Sequence, residues 1–319
     1  MAPTSSSRSS PSARRIGPLV DDWKLRRAEG AGPFTSRLTW RLPEGGEATW
    51  DSRSARKRGV VAVREHAGGP ATKLPASPEV ARRLRRINWV AAVAFTAGGS
   101  LFVVGAVVAQ IGSGSAATAA SVYFAGGLFF NTGAYASLLG AINAPRSTET
   151  GGALTAERWR WWSYEPDRID WLSTFVLFVG TLAFGVSLAH SFLDGLTTQQ
   201  VNRLIWSPEV VGCALFLIAG HLAMTEVCHR FRPCLRRRDL AWAIVAINQF
   251  GSILFMISAL AAFTRPATSS EISVGASNWG TLTGALCFAI GGVMQAFDRP
   301  AAPGGMSRTG RRPSPAIDV

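Results

Sequence analysis

The stretch Ile87–Ile111, INWVAAVAFTAGGSLFVVGAVVAQI, runs for 25 residues without a charged side chain. At ~1.5 Å rise per residue, a 20-residue helix spans ~30 Å, the thickness of a bilayer's hydrocarbon layer. Five comparable segments follow, at about 119–142, 169–193, 208–227, 240–263 and 278–297. Backbone polar groups in lipid must be paired within the segment, so each segment predicts a helix. Six such runs leave too little polar surface to cover them in a soluble protein. The composition agrees: 47% of the 319 residues are hydrophobic and 17% charged, against roughly 25% charged in soluble domains.

Working outward, Ser77-Pro78-Glu79 reads as the start of the first helix, with Ser as N-cap and Pro at N1. Before it, Arg37 to Leu42 alternates polar and apolar, Pro43 to Gly46 suits a turn, and Ala48 to Asp51 continues outward. That pattern is a candidate β-hairpin carrying Trp40 and Trp50. The chain thus divides into a disordered basic tail (1–33) and a small segment with the hairpin and a linker (34–76). Three helical hairpins follow (77–144, 168–229, 230–297), with a Trp/Arg-rich loop at 145–167 and a disordered tail at 298–319. The expected fold class is all-α integral membrane, with six transmembrane helices as three tandem parallel two-helix hairpins.

The net charge of +13 would suit nucleic acid, but its placement decides otherwise. Of 33 Lys and Arg, 31 lie in the amino-terminal region, two connecting loops and the carboxyl-terminal tail, all on one side of the six-helix scheme. Only Arg203 and Arg265 lie on the other side. The positive-inside rule then places both termini in the cytoplasm and the protein in the cell membrane. Thirty of the bases are Arg, a bias that suggests a bacterial source. The expected partners are the bilayer and its anionic headgroups, not nucleic acid. The basic stretch Arg53 to Arg58 and the run at 82–86 are expected to face that leaflet. Arg86, Trp89, Trp159, Trp161, Trp162, Arg168, Trp171, Arg238 and Trp242 are candidate interface anchors.

The helix entrances resemble one another: Arg86-Ile87-Asn88-Trp89, Arg168-Ile169-Asp170-Trp171 and Arg238-Asp239-Leu240-Ala241-Trp242. Nine or ten residues after each Trp come Gly99-Ser100-Leu101-Phe102, Gly180 to Phe184 and Gly251 to Phe255. The second helices share Gly126 to Phe130, Gly212 to Phe216 and Gly284 to Phe288. Three tandem two-helix units in one orientation would be related by an axis along the membrane normal. This Arg/Trp entrance with a Gly/Phe-rich pair of helices resembles the YrhK-like family of small bacterial membrane domains, best over 86–142. The resemblance implies a helical hairpin in a membrane and supplies no catalytic or binding residues.

Small-residue stripes such as Gly126, Gly133 and Gly140, or Gly280 and Gly284, suit close helix packing, within the bundle or in a homo-oligomer. Polar groups inside the apolar segments are few: Asn131, His221, Asn248 and Gln249 are candidate intramembrane contacts. His221 is expected to be neutral and bonded to Asn248 or Gln249, at equal depth on the next helix. Glu226 and Gln295 are discounted as reaching the cytoplasmic edge. The spacing of the four Cys suggests no disulfide framework, and Cys228-His229-x4-Cys234 matches no standard zinc pattern. No HExxH, GxSxG or Walker A motif appears, so neither an enzyme nor a cofactor is expected. The leading functional reading is a structural or regulatory membrane protein whose basic cytoplasmic face binds anionic lipid or a partner protein. The alternatives are a small-solute or ion transporter and an intramembrane enzyme.

Overall fold

The computed structural model describes residues 22–66, 69–112, 116–145, 154–155 and 158–300. The amino-terminal part is a five-stranded antiparallel meander: β1 Lys24–Glu29, β2 Arg37–Arg41, β3 Glu47–Asp51, β4 Val60–Arg64 and β5 Thr72–Pro75, in sequential order. A short helix, α1 Ser52–Arg58, separates β3 from β4. The expected hairpin is the β2–β3 pair. Its register sets Leu38 against Trp50 and Trp40 against Ala48. The two tryptophans therefore lie diagonally on one face, and both are buried.

That face packs on Val61, Val63 and Ala55, on Val80 and Leu84 of the following helix, and on Leu154. A hairpin alone would be marginal in water; here three further strands and a helix complete the core. The disordered tail expected up to residue 33 is corrected from Lys24 onward, and the linker expected over 66–76 is corrected at Thr72–Pro75. The charged run of β1 hid a strand because an edge strand tolerates charge on its open side. The tails at 1–21 and 301–319 lie outside the described residues.

Six long helices follow: α2 Pro78–Ile111, α3 Ala116–Ile142, α4 Ile169–His190, α5 Thr198–Cys228, α6 Leu240–Ala261 and α7 Val274–Phe297. Five of them, all but α3, are long and apolar enough to cross a membrane. Each helix packs on the next, and α7 returns onto α2, closing a ring. The β-domain sits at one end of the ring. A two-stranded ribbon, β6 Thr264–Arg265 with β7 Ser270–Glu271, sits at the far end.

Glycine makes the closest helix approaches. A Cβ on Gly98 would meet the Gly126 carbonyl at 3.0 Å, one on Gly212 the Gly180 carbonyl at 3.0 Å, and one on Gly251 the Gly284 carbonyl at 2.9 Å. Each of α2/α3, α4/α5 and α6/α7 thus has one Gly-on-Gly crossing. The stripe at Gly126, Gly133 and Gly140 faces Phe102, Phe95 and Ile87 of α2, and Gly280 faces Ser258 of α6. At these positions the glycine faces pack within the chain, one of the two alternatives the sequence left open. Gly251→Ala should cost about 1–3 kcal/mol by overpacking, read as a lower thermal midpoint in detergent. Gly275→Ala, where a Cβ meets nothing within 4 Å, should melt like the parent. Equal midpoints would remove the close crossing from the account.

Candidate functional site

Every one of the six helices carries Gly-x-x-x-Phe: Gly98/Phe102, Gly126/Phe130, Gly180/Phe184, Gly212/Phe216, Gly251/Phe255 and Gly284/Phe288. A four-residue step returns a side chain to the same face, so each Phe follows its glycine onto the inside of the ring. The phenylalanines meet there. Phe102, Phe184 and Phe255 lie 5.7–6.2 Å apart, centroid to centroid. Phe288 reaches Phe130 at 5.5 Å and Phe216 at 6.2 Å. Contacts of 5.4 Å (Phe102–Phe130), 6.0 Å (Phe184–Phe216) and 5.6 Å (Phe255–Phe288) join the two triplets. A void of about 10 Å³ lies among these rings.

Cavities open on both sides of the aromatic layer. The one toward the far end, about 530 Å³, is bounded by Phe102 and Phe184 and lined by Tyr123, Glu209, Glu271, Asn278 and Thr281. Glu271 lies in the ribbon, and partial burial pushes its carboxyl above the ordinary range. The cavity toward the β-domain, about 100 Å³, is bounded by Phe216 and Phe288. All six helices contribute to its wall, with Ser137, Thr174, Asn248, Ser252 and Gln295 among its polar groups.

Helix α1 closes that second cavity with Arg53, Arg56 and Lys57. Local sequence explains the helix. Asp51 caps it by accepting from Ser54 N at 2.9 Å, and Gly59, at φ 62°, ends it in the left-handed region. Its three last-turn bases suit the negative end of the helix dipole. Tertiary partners hold them under the ring. Arg56 Nη2 donates to both Glu226 oxygens at 3.3 and 3.0 Å, and Ser52 Oγ donates to Glu226 Oε1 at 2.8 Å. Arg53 and Arg58 bond Asp298, at 3.5 and 2.7 Å. Lys57 Nζ donates to Asn88 Oδ1 at 3.0 Å, and Asn88 Nδ2 returns a bond to Lys57 O.

The environment tunes these groups. Burial pushes the Lys57 amine well below its usual pKa, and Arg56 and Arg53 add to the effect. Burial alone would raise the Asp298 carboxyl, but Arg53 and Arg58 more than offset it and hold it below the ordinary range. His229, just beyond α5, ties the β-domain down: Nδ1 bonds Ser36 Oγ at 2.8 Å and Nε2 lies 3.3 Å from Asp51 Oδ2.

The structure distributes the residues singled out from the sequence as follows. Asn131 bridges α3 and α4: Thr181 Oγ1 donates to its Oδ1 at 2.9 Å, and its Nδ2 reaches Gly127 O and Thr181 O. Asn248 lines the domain-side cavity. Gln249 Nε2 donates to Leu217 O at 3.4 Å. His221 is exposed and makes no bond to either amide, so the expected pairing is corrected. It stands three residues after Ile218 and ten after Val211, on the exposed face of α5. Equal depth on neighbouring helices does not put two side chains on facing stripes.

Trp89, Trp161, Trp162, Arg86 and Arg238 are exposed, as interface residues require. Trp159 is half-buried beneath Arg83, and half-buried Trp242 donates to Cys234 O at 2.6 Å. Two anchors are corrected. Trp171 is buried, stacked on Phe175 at 4.7 Å. Arg168 is buried between Glu165 and Asp170 and donates to Ala141 O. Arg53, Arg56 and Lys57, expected to face anionic lipid, turn inward instead. Glu226, set aside as an edge residue, is 1% exposed. Cys228 and Cys234 form a disulfide, correcting the reading of their spacing. The chain matches no protein-family model, no curated protein and no solved structure.

Proposed function

We propose that the protein is a gated membrane conduit for small ions or solutes, with the pathway along the axis of the ring. The observation that carries this reading is the pair of cavities on that axis, each with polar groups in its wall, separated by six phenylalanines. Apolar constrictions between wet vestibules close pores by excluding water. In this reading all six helices cross the bilayer, α3 included: its 27 residues reach ~40 Å at ~1.5 Å per residue. The loop charge supports a cytoplasmic β-domain and cytoplasmic termini. The recurrence of Gly-x-x-x-Phe and of one Gly-on-Gly crossing per hairpin supports three tandem units about the same axis.

Arg53, Arg56 and Lys57 face the ring rather than the bilayer. Arg82, Arg86, Arg236 to Arg238, Trp161 and Trp162 are exposed. These suit anchoring at the headgroup level.

The test is flux in liposomes. Phe102 touches Tyr123, Phe130, Phe184 and Phe255, so Phe102→Ala opens the layer at its most connected point. Salt flux through this variant should exceed that of the parent at least tenfold. Phe250→Ala, on the exposed face of α6, should behave like the parent. A well-folded Phe102→Ala protein that stays as tight as the parent would retire the conduit.

A further inference from the structure

We propose that the domain-side cavity binds one small monovalent inorganic anion, of the halide class, between Arg53, Arg56, Lys57 and Gln295. As an occupant of the axial cavity it rests on the conduit reading for transport but not for binding. Four observations carry it.

The first is the lining, which holds three bases against one carboxylate, Glu226. Second, the lining contains buried donors with nothing to donate to. Arg53 Nε and Gln295 Nε2 are enclosed and make no hydrogen bond, and Arg56 Nε makes none either, with Asp170 3.9 Å away; the three residues are 8%, 7% and 3% exposed. An orphaned buried donor is costly, and a charged one more so. Water would satisfy the N–H groups, whereas an anion satisfies them and the charge together.

Third comes the charge balance of the whole cluster. Arg53 and Arg58 share Asp298, Arg56 takes Glu226, and Arg168 takes Asp170 and Glu165. Lys57 has only the neutral Asn88 amide as its bonded partner. Glu165 is shared with Arg160 at 3.7 Å, so the bases around the cavity outnumber the carboxylates, and an anion would offset the excess.

Last is size. About 100 Å³ holds an ion of halide size with a few waters, each needing ~30 Å³ of liquid volume. It does not hold a bulky organic acid with its own hydration.

The test uses the full chain in detergent at constant pH and ionic strength, with sodium chloride replacing sodium gluconate stepwise. The parent should show a saturating rise in thermal midpoint of a few degrees. Bromide should act as chloride does, and gluconate should not. Lys57→Met and, separately, Gln295→Leu should flatten the chloride response, whatever their own midpoints. A chloride response of undiminished size in both folded variants, or none in the parent, would overturn the site. Saturable binding with no flux through Phe102→Ala would retire the conduit and leave the anion site. Flux without a chloride response would do the reverse.

Discussion

Glu226→Gln should destabilise the protein by about 3–5 kcal/mol, because it strands a buried guanidinium. Arg56 donates to both Glu226 oxygens, and the two side chains are 3% and 1% exposed, so solvent offers no screening. The next carboxylate, Asp170, lies 3.9 Å from Arg56 Nε and is committed to Arg168. Glutamine keeps the shape and the bond to Ser52 but not the charge. The loss should concentrate where α1 docks beneath the ring. Arg53, Arg56 and Lys57 are protected from trypsin while buried; in the variant, cleavage within 53–58 should accelerate at least tenfold. Both the melting midpoint and the cleavage sites check this. Parent-like melting together with intact α1 would mean that the pair contributes nothing to docking.

That contact also marks the boundary of what the sequence discloses. The long helices are legible because 20 or more apolar residues in a row have few other uses. The β2–β3 hairpin is legible because alternation and a Gly-Gly turn are local signals. The phenylalanine layers are half legible. The Gly and Phe texture stands out, but the sequence pairs Phe102 with Gly99, whereas the ring places Phe102 in step with Gly98. Gly99 instead faces Ala285 and Ala289 of α7. Only the four-residue step shared by all six helices reveals the register, and it shows once the helices are laid side by side.

The basic helix is misread for a physical reason. A run of Arg and Lys in solution belongs at an anionic surface, and α1 has no local partner except its own cap. Its carboxylates come from the ends of α5 and α7, 170 residues and more along the chain. Nothing local to Arg53–Arg58 announces such long-range pairing. The reverse signal was available. An acid such as Glu226 in the last turn of an apolar helix calls for a base. The Cys228–Cys234 bridge escaped similarly, because six residues of sequence separation say nothing about whether the intervening loop folds back.

Lys57→Met should stabilise the folded protein, and the gain should shrink as pH rises. Lys57 is buried, and the groups facing it are the Asn88 amide, Arg56 and Arg53, with Glu226 and Asp298 more remote. Burial first, and the two arginines second, hold its folded pKa well below the unfolded value. The sign follows from proton counting. Below the folded pKa, Lys57 is charged in both states, and folding bears the whole cost of burying the charge. Between the folded and unfolded pKa values the unfolded chain binds the extra proton, so stability rises with pH. Above the unfolded value, near 10.4, the curve flattens. Methionine keeps the apolar stem without that charge. Replacing buried ionic groups by well-packed apolar ones often stabilises by ~1–4 kcal/mol. The expected result is a higher midpoint for Lys57→Met in gluconate, largest at low pH and narrowing as pH rises toward the unfolded pKa. Chloride should keep Lys57 protonated and so carry the narrowing to higher pH, because an anion beside the amine favours its charged form. A gap that stays constant from pH 5 to 9, or that widens, would mean that Lys57 remains charged under the ring without help.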